Sequence, residues 1–279
     1  MNSNDLIAGK PVTLISGIQR LIAPNAGMMT GPGTNTYLLG KQNIAVIDPG
    51  PRIDAHIESI IEAASGPIKW ILVTHTHPDH SPAAMKLASA TGAEILGIVA
   101  PPGRHQDRAF TPDRTLADGE SFSTDEFELQ IVHTPGHASN HLCYLHTNHR
   151  WLFTGDHIIN GSTVVIDPPD GSMTDYLQSL KKLQNIHIEA LAPGHGAIME
   201  NVNEALAWLI DHRLKRETKV TEKLKRRPNS SLATLVTHVY DDVSPSLHPL
   251  AQRSLLAHLL KLELEGLAIK NNDNWHAQT

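Results

Sequence analysis

"THTHPDH", residues 74–80, sets three histidines and an aspartate into seven positions directly after the apolar run "WILV", residues 70–73. The run reads as the end of a buried strand. His75 and His77 are two apart on extended backbone, so both imidazoles project to the same side of the strand's exit. Asp79 and His80 follow as the chain turns into a helix that Ser81 can cap, with Pro82 in its first turn and Gly92 at its end. A strand end gives rigid placement, and the loop lets four side chains converge without crowding a core.

Three later stretches repeat one pattern of strand, glycine and ligand-type residue: "QIVHTPGH" delivers His137, "WLFTGD" delivers Asp156 and "ALAPGH" delivers His195. Each glycine is expected to permit the sharp turn that points the next side chain back over the strand ends. Five histidines and two carboxylates are too many for one four-coordinate zinc, and they suit two metals. His75, His77 and His137 would hold one ion, Asp79, His80 and His195 the other, and Asp156 would bridge them. Two Zn2+ per chain sharing a water activated as a bridging hydroxide imply hydrolysis, with Asp79 and Asp156 as the catalytic carboxylates. The same donors also accept iron or manganese. Asp48 in "AVIDPG" is placed to fix a histidine tautomer or to cap a turn.

The 279 residues are 40% hydrophobic and 4% aromatic, enough for one large core or two. No stretch approaches the roughly 18 apolar residues of a membrane helix, so no membrane partner is expected. The start "MNSNDLIAGK" lacks the basic flank and apolar run of a secretory signal. Cys143 is the single cysteine and can form no disulfide within the chain, which fits a cytoplasmic location.

Strands alternate with helices for about two thirds of the chain: "TYLLG", "IAVIDPG", "WILVTH", "FELQIVH" and "RWLFTGD" read as strands. Residues 52–65 place Ile53, Ile57, Ile60, Ile61 and Ala64 on one helical face, with Gly66 where a left-handed end is expected. Ser172 and Asp175 open a third helix. From about residue 202 the pattern changes to a long helix ending at Arg227 before Pro228, helices near 231–240 and 248–265, and a hairpin in "LAIKNNDNWH". This predicts an α/β catalytic domain, residues 1–210, and a winged-helix-like C-terminal domain, residues 211–279. Residues 213–227 hold eight Lys or Arg against two Glu, so that segment is +6 while the rest, given −6 overall, is −12. Such a stretch reads either as a phosphate contact or as a solvated helix face.

The set "HTHPDH", "TPGH", "FTGD" and "PGHG", with "VIDPG" upstream, resembles the metallo-β-lactamase superfamily over residues 15–200. The resemblance implies an αββα sandwich with a dimetal site at one edge, and the seven assignments above fall on the family's ligand positions. "GPGTNTYLLG", "TPGHASNHLCY", "GSTVVIDPPDG" and the tail with "HRLKRE" resemble bacterial relatives of the beta-lactamase-like protein 2 branch, whose mitochondrial member is a single-strand-specific endoribonuclease. Lactamase activity is not implied, because zinc β-lactamases generally lack a bridging aspartate where this chain has Asp156.

Asn35 and Tyr37, with Thr34, are candidates to line the pocket, and His141 and His157 are candidates to touch substrate or to shuttle protons. The loop 158–172 is long and proline-stiffened, as a wall over the metals would be. The readings that follow are a phosphodiesterase or endoribonuclease acting on single-stranded RNA, a thioester or ester hydrolase of the glyoxalase II type acting on a small molecule, and a binding module in which the metals are structural. Self-association as a homodimer is left open.

Overall fold

The structure is a computed structural model and describes residues 6–278. Its contacts divide the chain into two compact units. Among the described residues, the first comprises 6–134, 140–163 and 187–202, and the second 135–139, 164–186 and 203–278. Residue 210, the expected boundary, lies inside a continuous helix (Val202–Arg226), and the division is not a single cut in sequence.

The first unit is built on two sheets. Strands β1 (Val12–Ile15), β2 (Ile18–Ile22), β3 (Asn35–Leu39), β4 (Ile44–Ile47), β5 (Ile68–Leu72), β6 (Glu94–Gly97) and β7 (Arg114–Thr115) lie side by side in chain order. The first four pair antiparallel, while β4 to β7 pair parallel. Parallel neighbours need crossovers, and the helices α1 (Asp54–Ala63) and α2 (Ala84–Thr91) lie within two of them. The second sheet runs β12 (Ala190–Pro193), β11 (Trp151–Gly155), β10 (Leu142–His146), β9 (Glu128–His133), β8 (Ser121–Ser123). Alternation along the strands sends Tyr37, Leu39, Ala45 and Ile47 into one core with Ile131, Tyr144 and Phe153 of the second sheet. Leu38, Val46 and Ile71 face the other way, against Ile57 and Ile60 of α1 and Leu87 of α2.

Some local expectations were displaced by long-range partners. Gly66 does not take a left-handed conformation, because α1 ends at Ala64 in extended backbone. What Gly66 needs is space, since a Cβ there would lie 2.2 Å from the carbonyl oxygen of Gln42. Ser81 does not cap α2; its hydroxyl donates to Asp107 Oδ2 at 2.8 Å, and the helix starts at Ala84. Gly92 does end it in the left-handed region.

The second unit holds α3 (Met173–Leu183), α4 (Val202–Arg226), α5 (Leu232–Val239) and α6 (His248–Leu264), with a sheet in the order β13 (Ser230–Ser231), β15 (Asn274–Ala277), β14 (Ala268–Asn271). Ser172 caps α3 by accepting from Asp175 N at 3.3 Å. Val220 and Leu224 of α4, Leu235 and Val239 of α5, Leu255, Leu259 and Leu262 of α6, and Trp275 of β15 form its core. The sequence hairpin thus gains a third, two-residue strand. Among the described residues no helix is long and apolar enough to cross a membrane.

His56 in α1 offers a test of the first unit's packing. Thr36 Oγ1 donates to the carbonyl of Asp48, so it accepts from His56 Nε2 at 3.0 Å and the ring is neutral. Burial pushes its pKa down to about 4. The unfolded chain takes up this proton near pH 6.5 and the folded chain does not until about pH 4, so stability is intact above 6.5 and falls between the two. His56→Gln is expected to lose about 2 kcal/mol less than the wild type between pH 7 and pH 5 in urea titrations. Equal losses would refute this assignment.

Candidate metal centre

The ligand segment leaves β5 beside the end of β4, and Asp48 at that end organises it. The backbone N–H of Asp48 donates to Leu72 O at 2.9 Å, and its φ of 49° is one that Asp tolerates better than most side chains. Its buried carboxylate accepts from Thr74 N at 2.7 Å, from Thr74 Oγ1 at 2.8 Å and from His80 Nδ1 at 2.8 Å. The His80 proton therefore sits on Nδ1, and Nε2 faces the site.

Strands β11 and β12 are parallel neighbours, so their exits deliver Asp156 and His195 side by side. His195 Nδ1 donates to Gly33 O at 3.2 Å, which again turns Nε2 toward the site. Asn35 Nδ2 donates to the carbonyls of Pro193 and Gly196 at 2.8 and 2.9 Å, and Tyr37 OH donates to Pro193 O at 2.8 Å. Gly155, with φ 44°, and Gly136, with φ 142°, meet the expectation of a special turn. Gly194 has no such angle. It is required because a Cβ there would lie 2.7 Å from Asp156 Oδ1 and 2.7 Å from His80 Cε1.

Asp79, His80, Asp156 and His195 offer ligand atoms within 4.8 Å of one another. His80 Nε2 lies 3.5 Å from Asp79 Oδ2 and 3.3 Å from Asp156 Oδ1, and His195 Nε2 lies 3.2 Å from each of those oxygens. Neither buried Nε2 makes a directed hydrogen bond. Two lone-pair nitrogens and two carboxylates converging in this way fit a divalent cation with N and O donors. Burial works against the charge on Asp156, but His195 and His80 outweigh it and hold the carboxyl well below the usual carboxylate range. Burial likewise disfavours charge on His195, yet Asp156 and Asp79 raise it to about 10.

His75 and His77 leave the strand together. Thr74 Oγ1, already donating to Asp48, accepts from His75 Nδ1 at 3.0 Å, and His75 Nε2 lies 3.0 Å from His77 Nδ1. Within the second unit, His137 Nδ1 donates to Val165 O at 2.7 Å, which puts the lone pair of the neutral ring on Nε2.

The packing gives the four candidate substrate residues other work. Asn35, Tyr37, His141 and His157 are all buried, as His75, His80 and His195 are. Asn35 and Tyr37 hold the turn that carries His195. His141 packs on His75 with ring centroids 5.0 Å apart and pairs with Thr134 Oγ1 at 3.0 Å, while the His157 ring lies 5.9 Å from that of His141. Thr34 is buried too, bonded to Asn25 through its hydroxyl and its backbone N–H. Thr74 and Gly33 are the functional residues that sequence reasoning missed. Thr74 lies inside the quoted motif, but nothing local signals that it relays Asp48 to His75.

Asp48→Ala is expected to weaken zinc binding about 10- to 100-fold, as loss of a ligand-orienting carboxylate does. Chelator competition measures this directly. An unchanged zinc affinity would remove Asp48 from the site.

The chain is similar to known proteins over most of its length. The family model of the metallo-beta-lactamase superfamily matches residues 29–195, and that of the beta-lactamase associated winged helix domain matches residues 231–275. The chain is 32% identical to a beta-lactamase-like protein 2 homolog of Drosophila melanogaster, over 91% of this chain and 90% of that one. It is 31% identical to an atrochrysone carboxyl ACP thioesterase of Aspergillus fumigatus, over 73% of this chain and 63% of the relative. A crystal structure of a beta-lactamase domain protein from Burkholderia ambifaria superposes with a TM-score of 0.84 at 19% identity, covering 97% of this chain and 94% of the other.

Proposed function

The chain belongs to the metallo-β-lactamase superfamily and is a metal-dependent hydrolase, and we propose that it cleaves phosphodiesters, with single-stranded RNA as its substrate class. The observation that carries this reading is the match to the Drosophila relative over nine tenths of both chains, winged-helix region included. The beta-lactamase-like protein 2 branch is the one the sequence motifs resemble, and its mitochondrial member cleaves RNA. A cytoplasmic location belongs to the same reading.

We assign His75, His77 and His137 to one ion and Asp79, His80 and His195 to the other, with Asp156 between them; zinc is the proposed metal, and iron or manganese would suit the same donors. When bound, two such ions supply Lewis acidity and a water acidified to near-neutral pKa. The chain's own residues prepare this arrangement. Asp48 and Gly33 hold the protons of His80 and His195 on Nδ1, and Asp79 and Asp156 set the negative charge that recruits cations. His77 and Asp79 are the partly exposed members of the 74–80 segment's ligand set, so substrate approaches from their side.

In this reading residues 1–210 carry the chemistry and residues 211–279 recruit substrate. Much of the basic stretch of α4 is internally compensated. Arg216 forms a bidentate pair with Asp242 at 2.7 and 2.9 Å, Lys219 pairs with Asp241, and Lys215 lies 2.7 Å from Asp211. Arg213 is buried and donates to Val164 O. The exposed remainder, Lys225, Arg226 and Arg227, is the part left to meet phosphates.

A thioester or ester hydrolase is the second reading, favoured by the thioesterase relative. The test compares labelled single-stranded RNA, a bis-aryl phosphodiester and S-lactoylglutathione at equal enzyme with zinc present. Chelator-sensitive RNA cleavage is expected, weakening with salt and weakening further in Arg226→Ala/Arg227→Ala. Thioester turnover without phosphodiester cleavage would overturn the first reading and establish the second.

A further inference from the structure

Residues 98–110 run beside the ligand segment and are tied to it at several points. Asp107 N donates to Thr76 O at 2.7 Å, and Thr76 is the residue between His75 and His77. Thr76 Oγ1 donates to Gln106 Oε1 at 2.5 Å and accepts from Asn140 Nδ2 at 2.8 Å. The same buried Asn140 amide reaches Val99 O at 3.2 Å, and Ser81 donates to Asp107 from the start of the next helix. Arg108 follows Asp107, so its Cα stands about 3.8 Å along the chain from a residue bonded to the metal-binding segment.

A cleft of about 440 Å³ opens within this stretch, lined by Val99, Ala100, Pro101, Pro102, Arg108 and Phe110. Of these, Phe110 is buried and Val99 is 55% exposed. Pro101 and Pro102 have no N–H and add no backbone donor to the lining. Arg108 is the one charged side chain on the lining, in a chain of net charge −6, and among the described residues its guanidinium makes one long hydrogen bond, 3.4 Å to Gly103 O. An apolar cleft whose ionic recognition rests on one guanidinium selects a ligand with a flat or apolar body and an anionic, two-oxygen end.

We infer that this cleft is the substrate's second point of attachment: Arg108 takes an anionic group next to the one being cleaved, and Val99, Pro101, Pro102 and Phe110 take the apolar body attached to it. For RNA these are a flanking phosphate and its base. The inference rests on the phosphodiester reading for that identification, but the recognition chemistry is tested without turnover. Arg108 is a specificity residue, and it holds no metal.

The experiment titrates the zinc-loaded full chain with 1-naphthalenesulfonate, an anionic, non-hydrolysable fluorescent probe, and with neutral 1-naphthalenesulfonamide. Arg108→Ala is expected to raise the Kd of the sulfonate about tenfold, the scale of one charge-assisted hydrogen bond, with the sulfonamide changed less than twofold. Arg108→Lys should recover part of the loss, and bound zinc should match the wild type in both variants. On whichever substrate the wild type cleaves, the defect should fall on KM rather than on kcat. A sulfonate Kd unchanged in Arg108→Ala, or equal weakening of both probes, would overturn the inference. If RNA is not cleaved while the sulfonate still discriminates, the phosphodiester reading fails and Arg108 stands.

Discussion

Asp156→Ala is expected to lower hydrolysis by on the order of 10³-fold or more, the scale on which removing a preorganised polar group from a reacting centre is felt, while the chain stays folded. Asp156 Oδ1 faces both His80 Nε2 and His195 Nε2, at 3.3 and 3.2 Å, so its loss removes the one side chain assigned to both ions. Metal content measured by elemental analysis should fall from two per chain, and the catalytic loss should not be restored by excess zinc. The fold should survive, because Asp156 lies just beyond the end of β11 and belongs to neither apolar cluster of the first unit. Far-UV circular dichroism and the thermal midpoint test that half of the prediction. Activity near the wild-type level would refute the mechanism, and so would one metal or fewer in the zinc-saturated wild type.

Gly194→Ala is expected to cost about 10²-fold in kcat/KM, the penalty associated with displacing catalytic groups by about an ångström. The new methyl would press on Asp156 Oδ1 and His80 Cε1, each 2.7 Å away, and on Gly155 C at 3.0 Å. None of these can yield freely: His80 is held by Asp48, and Gly155 lies at the end of a paired strand. Gly196, two residues on, has a φ of 85° and would suffer from backbone strain instead. A Gly194→Ala variant with wild-type kinetics and wild-type zinc affinity would show that the turn can relax, against the packing described here.

The two candidate ligand groups were legible in the sequence because their information is local. Spacing of two along a strand, followed by a turn, places His75, His77, Asp79 and His80 without reference to any distant residue, and the three glycine-led turns repeat that arrangement. Strand β10 was harder to read. Its sequence "LCYLH" is buried at all five positions, so it lacks the alternation that marks a half-exposed strand. The helix boundaries at Ser81 and Gly66 were displaced by partners 26 and 24 residues away, Asp107 and Gln42. The basic character of α4 was visible, but its neutralisation by Asp241 and Asp242 was not, since those acids lie 22 to 26 residues downstream.

By itself, then, the sequence determined the candidate metal-ligating residues, the class of chemistry and the change of pattern after residue 202, all of which are written in short-range spacing. The tertiary structure alone decided what surrounds the ligands. Asn35 and Tyr37 became supports for the His195 turn through bonds spanning 156 to 161 residues, and Asp48 became the partner of Thr74 and His80 across 26 and 32. A buried polar side chain must find a partner wherever the fold brings one, and that choice leaves no periodic trace in the chain.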